Sequence, residues 1–166
     1  MSLRIRELSP DAEEELDLVA RRMRMTLEEV LGEEEGRALY TMDWLRDRVR
    51  FHLDPARSTA AVFLAEDHGG TISGHTIVRV DHDDSGQPIG LFSTTYVEPS
   101  ARRAGIAKQL LLRGEAWMRE RGMPVGVTDT SETNAKLIRL FEGHGYAIVH
   151  REGGMVRLAK PLRDLR

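Results

Sequence analysis

The chain has 166 residues, 40% of them hydrophobic, enough to bury one sizeable core, and a single domain spanning 1–166 is expected. Its 24 Lys and Arg against 27 Asp and Glu give a formal charge of -3, without the basic excess that nucleic-acid binding requires. With no cysteine there is no disulfide, no thiolate metal site and no cysteine nucleophile.

The opening MSLRIRELSPDAEEEL alternates charged with apolar residues and lacks the continuous apolar stretch of a signal peptide. No later run has membrane-spanning length, so the expected setting is cytoplasmic, without membrane contact. Leu3, Ile5 and Leu8 fit a short first strand, and Ser9-Pro10 with an acidic turn behind it signals a helix start. Ala12, Leu16, Val19 and Met23 recur at helical spacing. TLEE from Thr26 reads as a capping box opening a second short turn, ended by GEEEG. Leu39, Met42, Leu45, Val49 and Leu53 then form one face of a helix that Asp54-Pro55 stops.

The period changes next. TAAVFLAE, TISGHTIVRV and IGLFSTTYV, punctuated by DHGG and DHDDSGQP, predict three strands in hairpin succession. A helix is predicted over 103–121, with Ile106, Leu110 and Trp117 in one row and Ala107, Leu111 and Met118 in the next, closed by Gly122. PVGVTDT predicts a fifth strand, 134–144 a helix with Leu137, Ile138 and Phe141 inward and Gly145 as its stop, and YAIVHR with MVRLAK a closing hairpin. The order β, α, α, β, β, β, α, β, α, β, β implies a mixed sheet with helices on both faces.

The junction YVEPSARRAGIAKQLL carries the chemistry. A strand that passes through a tight turn into a helix leaves the first helical N–H groups unpaired at the positive end of the dipole. Gly105 lets the backbone approach a ligand closely, and Arg102, Arg103 and Lys108 add positive charge, so the favoured ligand is a pyrophosphate or a similar anion. A Rossmann turn would need G-x-G-x-x-G and a P-loop a second glycine followed by Lys and Ser or Thr; the chain has neither here.

What it does have, V-x-P-x-x-R-R-x-G-I-A from Val97 to Ala107, resembles the acetyl-CoA-binding motif of the GCN5-related N-acetyltransferase (GNAT) superfamily, whose core Q/R-x-x-G-x-G/A corresponds to Arg102, Gly105 and Ala107. The segment N-A-K-L-I-R-L-F-E-G-H-G-Y from Asn134 to Tyr146 is similar to the family's second motif. The resemblance implies an α/β fold with a mixed, mostly antiparallel central sheet of about seven strands, flanked by helices on both faces and splayed between strands 4 and 5. It further implies that Thr95 and Val97 hold the pantetheine arm of acetyl-CoA through their backbone. The turn Arg102, Arg103, Ala104, Gly105, Ile106, Ala107 and Lys108 would bind the pyrophosphate, with Asn134 contacting the cosubstrate from the other wall; a plain helix N-cap is an equal reading of Asn134. The implied reaction is direct attack of a primary amine, most simply of a small molecule, on the thioester. Alternatives are a protein or peptide N-acetyltransferase and a non-catalytic acyl-CoA sensor or regulatory module, and a homodimer stays open.

Two departures from the family bear on catalysis. IGLFSTTYV carries no carboxylate to serve as base, although an alkylammonium of pKa about 10.4 costs roughly 4 to 5 kcal/mol to deprotonate at pH 7. Asp129, Glu132, His82, Asp83 and Asp84 are candidates, although each taken singly reads better as a solvated loop charge. Where many members place a tyrosine that protonates the leaving thiolate, this chain has Phe141, which the resemblance places among the cosubstrate-binding residues; Tyr96 is a candidate substitute for the proton donor. Glu33, Glu34 and Glu35 suit either attraction of a cationic amine or a solvated turn. His75, His144 and His150 lack ligand-like spacing, so no metal site is expected, and His144 suits a helix C-terminus.

Overall fold

A computed structural model describes residues 3–101 and 105–162 of the chain. Strand β2 (Ala60–Glu66) shows why the middle of the chain is apolar without alternation. Ala61, Phe63 and Ala65 belong to one core cluster and Val62 and Leu64 to another, so both faces of the strand are buried. The described strands form one seven-stranded sheet in the order β1-β2-β3-β4-β5-β7-β6, with β1 at Arg4–Glu7, β3 at Ile72–His82, β4 at Pro88–Val97, β5 at Val125–Ser131, β6 at Ala147–Glu152 and β7 at Met155–Pro161. Every neighbouring pair is antiparallel except β4 and β5, which run parallel.

Helices α1 (Glu13–Leu31) and α3 (Met42–Leu53) bury Leu16, Val19, Leu45 and Val49 against one face. Helix α4 (Ile106–Glu120) sets Leu110, Leu111, Trp117 and Met118 on the other, together with Phe141 of α5 (Ala135–Glu142). Gly114 makes the close approach of α4 possible, because a Cβ there would lie 2.4 Å from Phe92. The predicted sheet with helices on both faces is therefore present, including its mixed sense. None of the described helices is long and apolar enough to cross a membrane.

The helical boundaries before β2 differ from the sequence reading. Helix α1 begins at Glu13, three residues past the Ser9-Pro10 turn, and runs unbroken to Leu31. Thr26 is no cap: its hydroxyl donates to the Arg22 carbonyl one turn back, as interior threonines do. The apolar stripe and the lack of glycine or proline between 13 and 31 let the helix continue, and the break falls at Gly32, whose φ of 94° ends it. A further helix, α2 (Glu33–Leu39), follows, so three helices rather than two precede β2. Leu39 ends α2 on the surface instead of joining the α3 face, and α3 starts after Thr41, whose hydroxyl accepts the Trp44 N–H at 3.0 Å. Similarly α4 starts at Ile106, while the residues expected to open it, Arg103 and Ala104, lie outside the described residues, as does Arg102.

Candidate functional site

The parallel pairing of β4 with β5 covers three residue pairs, from Gly90 with Gly126 to Phe92 with Thr128. There the register of β3 against β4 shifts: Val78 faces Phe92 and Ile77 faces Thr94, which leaves Ser93 as an extra residue. Such a bulge bends and twists its strand. Beyond it β4 stays with β3 as far as Val97 and β5 stays with β7 as far as Ser131, so the two strands diverge while each keeps its outer partner. The sheet is splayed between strands 4 and 5, as expected.

Two adjoining cavities occupy the gap, sharing the lining residues Thr26, Thr95, Asn134 and Leu137. The first, of about 270 Å³, lies between Thr95, Tyr96 and Val97 of β4, Ala107 of α4 and Leu137 and Leu140 of α5. The second, of about 280 Å³, is bounded by Ser93 and Thr94 of β4, Thr128, Asp129 and Thr130 of β5, and Tyr40, Trp44 and Arg48. Asn134 is fixed at their junction. It caps α5 by accepting the Leu137 N–H at 3.4 Å and donates to the Thr130 hydroxyl at 3.1 Å. Lys136 reaches Glu29 of α1 across the first cavity at 3.2 Å, but both are exposed and such a pair is worth under about 1 kcal/mol.

The start of α4 abuts the first cavity. Gly105 sits at the N-cap with φ 78° and ψ 10°, a left-handed conformation that glycine adopts without strain. A Cβ built on it meets none of the described residues within 4 Å, which leaves room there for a ligand. The first turn of α4 holds no acidic residue, and Ile106 anchors it in the core. The first N–H groups of a helix, its dipole and an open approach are the features that favour an anion at such a turn.

The sequence-derived candidates separate on this frame. Thr95, Val97, Ala107 and Asn134 line the first cavity; Gly105 and exposed Lys108 stand at its α4 end. Phe141 does not reach the cleft. It is fully buried, with its ring edge-on to Phe92 at 5.2 Å and to Tyr146 at 4.9 Å, so this position belongs to the core. Tyr96 lines the first cavity and has its hydroxyl 3.4 Å from Glu98. Asp129 borders the second cavity, but both its oxygens accept from Arg157, at 2.7 and 2.8 Å. Glu132 is exposed past the end of β5 and borders neither cavity.

Asp83 and Asp84 border a different, wider cavity of about 660 Å³, between the β3–β4 turn and the β6–β7 hairpin. There the Ser85 hydroxyl and the Ser85 and Gln87 amides hold the Asp83 carboxyl below the usual carboxylate range, which suits a turn and not a base. His82 ends β3 at the same turn. Glu33, Glu34 and Glu35 form the exposed first turn of α2, away from both cleft cavities. Among the described residues no group of three or more His, Asp or Glu could hold a metal. His144 lies just past the end of α5, where its Nδ1 donates to the Leu140 carbonyl at 2.8 Å.

The sequence reading missed two groups. Beneath Tyr96 lies a buried polar cluster. His75 stacks on its ring at 5.9 Å, the Arg22 guanidinium lies 5.4 Å from the ring centre, and Arg22 pairs with Glu98 at 2.9 Å. An arginine on the apolar stripe of α1, three residues after Val19, was the available signal. The second group is the stripe Tyr40, Trp44 and Arg48, legible as i, i+4 and i+8.

His75 is not a base. Burial pushes its imidazole down to about 3, Arg22 adds to the effect, and its Nε2 lies 2.9 Å from the Thr94 hydroxyl. His52 is similar: burial, with Arg79 and Arg48 nearby, lowers it to about 4 against the opposing hydrogen bond to the Arg48 carbonyl. Both take up protons less readily folded than at the ordinary value of 6.5, so the unfolded chain protonates first as pH falls. Stability is therefore complete above pH 6.5 and declines below it; at pH 5 each histidine should have removed about 2 kcal/mol. Urea unfolding at pH 7.5 and pH 5 checks this, and His75→Phe should shrink the difference by about half. An unchanged unfolding free energy across that interval would refute the neutral buried state.

A sequence model of the Acetyltransferase (GNAT) family matches residues 23–146. The mycothiol acetyltransferase of Thermomonospora curvata is 34% identical over 108 residues, covering 64% of this chain and 33% of the relative. That of Thermobispora bispora is 32% identical over 103 residues, covering 61% and 35%. The chain thus spans about a third of the length of these curated relatives. Among solved structures, the PaiA N-acetyltransferase of Thermoplasma acidophilum in complex with coenzyme A shares the fold with a TM-score of 0.69 at 17% identity, over 97% of this chain and 99% of that one.

Proposed function

Because this chain belongs to the acetyltransferase (GNAT) family, we propose that it transfers an acetyl group from acetyl-CoA directly to a primary amine of a small molecule. The observation that carries the reading is the succession of the turn at Gly105, the part of β4 beyond its pairing with β5, and a second cavity that shares Thr26, Thr95, Asn134 and Leu137 with the first. Acetyl-CoA supplies an activated thioester. The α4 amides at Gly105 and beyond bind its pyrophosphate, and the backbone at Thr95 and Val97 holds its arm. Thr26, Leu137 and Leu140 exclude water along the way. The amine then bonds to the thioester carbonyl carbon, the carbon–sulfur bond breaks, and the amine proton is lost as the thiolate leaves. Water can receive and supply these protons, since a thiol of pKa about 8.5 is a competent leaving group near neutrality. The mycothiol acetyltransferases, named for a small molecule, support a small-molecule acceptor.

A non-catalytic acyl-CoA-binding module is the second reading. It is favoured by the core placement of Phe141 and by the engagement of Asp129 with Arg157, which leave no carboxylate or tyrosine in the usual catalytic roles. Acetyl-CoA at 100 times its dissociation constant should stabilise the fold by about 2.7 kcal/mol under either reading. Release of CoA with a panel of primary amines separates them: stabilisation without release leaves the binding module, and no stabilisation removes both.

A further inference from the structure

Tyr40, Trp44 and Arg48 bring an unusual set of surfaces into the second cavity. The Tyr40 and Trp44 rings stack at 4.0 Å and 9°, yet they remain 36% and 43% exposed, so a broad aromatic surface is left without a cover. The Arg48 guanidinium lies 4.4 Å from the Phe51 ring centre and makes no ion pair with any described residue. Its charged surroundings are Arg79, Arg57 and Asp81, and Asp81 is already held by Arg79 at 3.2 Å. Asp129, the carboxylate that borders the cavity, is neutralised by Arg157. The cavity therefore carries one uncompensated positive charge.

We propose that the acceptor is a primary amine that also carries a carboxylate, of the amino-acid type, with Arg48 holding the carboxylate and the Tyr40–Trp44 pair receiving an apolar or planar side group. The assignment rests on the acetyl-transfer reading. A planar guanidinium fork matches a carboxylate through two parallel hydrogen bonds, and a single guanidinium balances a single negative charge. An acceptor with a second ammonium group would instead meet the field of Arg48, and Glu33, Glu34 and Glu35 do not line this cavity.

The test compares L-phenylalanine with phenethylamine and phenylalaninamide, and L-leucine with isoamylamine, in CoA release from acetyl-CoA. It uses the parent, Arg48→Met and Arg48→Lys. The parent should favour the amino acids by at least about tenfold in kcat/KM. Arg48→Met should erase that preference by raising KM, Arg48→Lys should restore part of it, and KM for acetyl-CoA should not move. Calorimetric titration with N-acetylphenylalanine and N-acetylphenethylamine in the presence of CoA reads the same site without turnover. Equal use of amines with and without the carboxylate, insensitive to Arg48→Met, would overturn the carboxylate site and leave acetyl transfer standing. Arg48-dependent binding of N-acetylphenylalanine with no CoA release from any amine would overturn acetyl transfer and leave the site. Neither binding nor release would overturn both.

Discussion

A Gly105→Val variant should fold and lose acetyl-CoA affinity by at least about 100-fold, because the added side chain occupies space through which a ligand would approach the α4 amides. The open space around a Cβ at this position means that none of the described residues is displaced. The remaining cost is conformational: a branched residue held at φ 78° is strained by about 1 to 3 kcal/mol, which a typical domain stability of 5 to 15 kcal/mol absorbs. Gly105→Ala carries most of the strain with less bulk, so it should lose stability similarly while keeping part of the affinity. Calorimetric titration with acetyl-CoA and urea unfolding of both variants separate the two effects. A valine variant that binds as tightly as the parent would move the anion site away from this turn.

Glu115→Ala should lower the unfolding free energy by about 3 to 5 kcal/mol, or the thermal midpoint by about 10 °C. Glu115 is 1% exposed, and its Oε2 accepts from the Tyr146 hydroxyl at 2.7 Å and from Lys160 at 3.0 Å, with Arg119 at 3.7 Å from the other oxygen. Burial and this hydrogen bond push the Tyr146 hydroxyl above its ordinary range, so it stays a neutral donor. Truncation strands that donor and an ammonium behind β5, directly beneath Gly126, where a Cβ would lie 2.9 Å from the Tyr146 oxygen. Glu115→Gln preserves an acceptor and should cost clearly less. Thermal unfolding that shows no difference between the alanine variant and the parent would mean that the buried carboxylate contributes no net stability.

The parts of the fold that were legible in the sequence share a physical cause. Strands β2 to β4 are buried on both faces at their centres, so they read as uninterrupted apolar runs, and Gly105 followed by an apolar helix marks a turn that few other residues permit. Helix starts were misread at Ser9 and Thr26 because hydroxyl residues serve equally in turns and inside helices, and tertiary packing decides which. The acceptor side was hidden for another reason. Tyr40 caps the end of α2, Trp44 and Arg48 lie on α3, and Thr128 and Thr130 come from β5, so the cavity exists only once the bulge at Ser93 has parted the sheet. Phe141 looked like a cosubstrate contact from its place in a motif; the edge-on rings of Phe92 and Tyr146 explain why an apolar residue suits that place.

The divergence of β4 from β5 also gives the sheet two inner edges in addition to the outer ones at β1 and β6. An unpaired edge invites another polypeptide to add itself as a strand, a hazard that proteins blunt by keeping edges short or covered. Here the diverging ends are short, beginning at Ser93 on one side and running from Asp129 to Ser131 on the other, and α1 and α5 wall the space between them at Thr26, Val30, Leu137 and Leu140. A guest strand would carry a side chain at every residue, alternately toward each face, and would collide with those walls. An unbranched chain that bears amides but no side groups would not. The geometry that threatens adhesion to other proteins thus also selects the shape of the molecule that can end it.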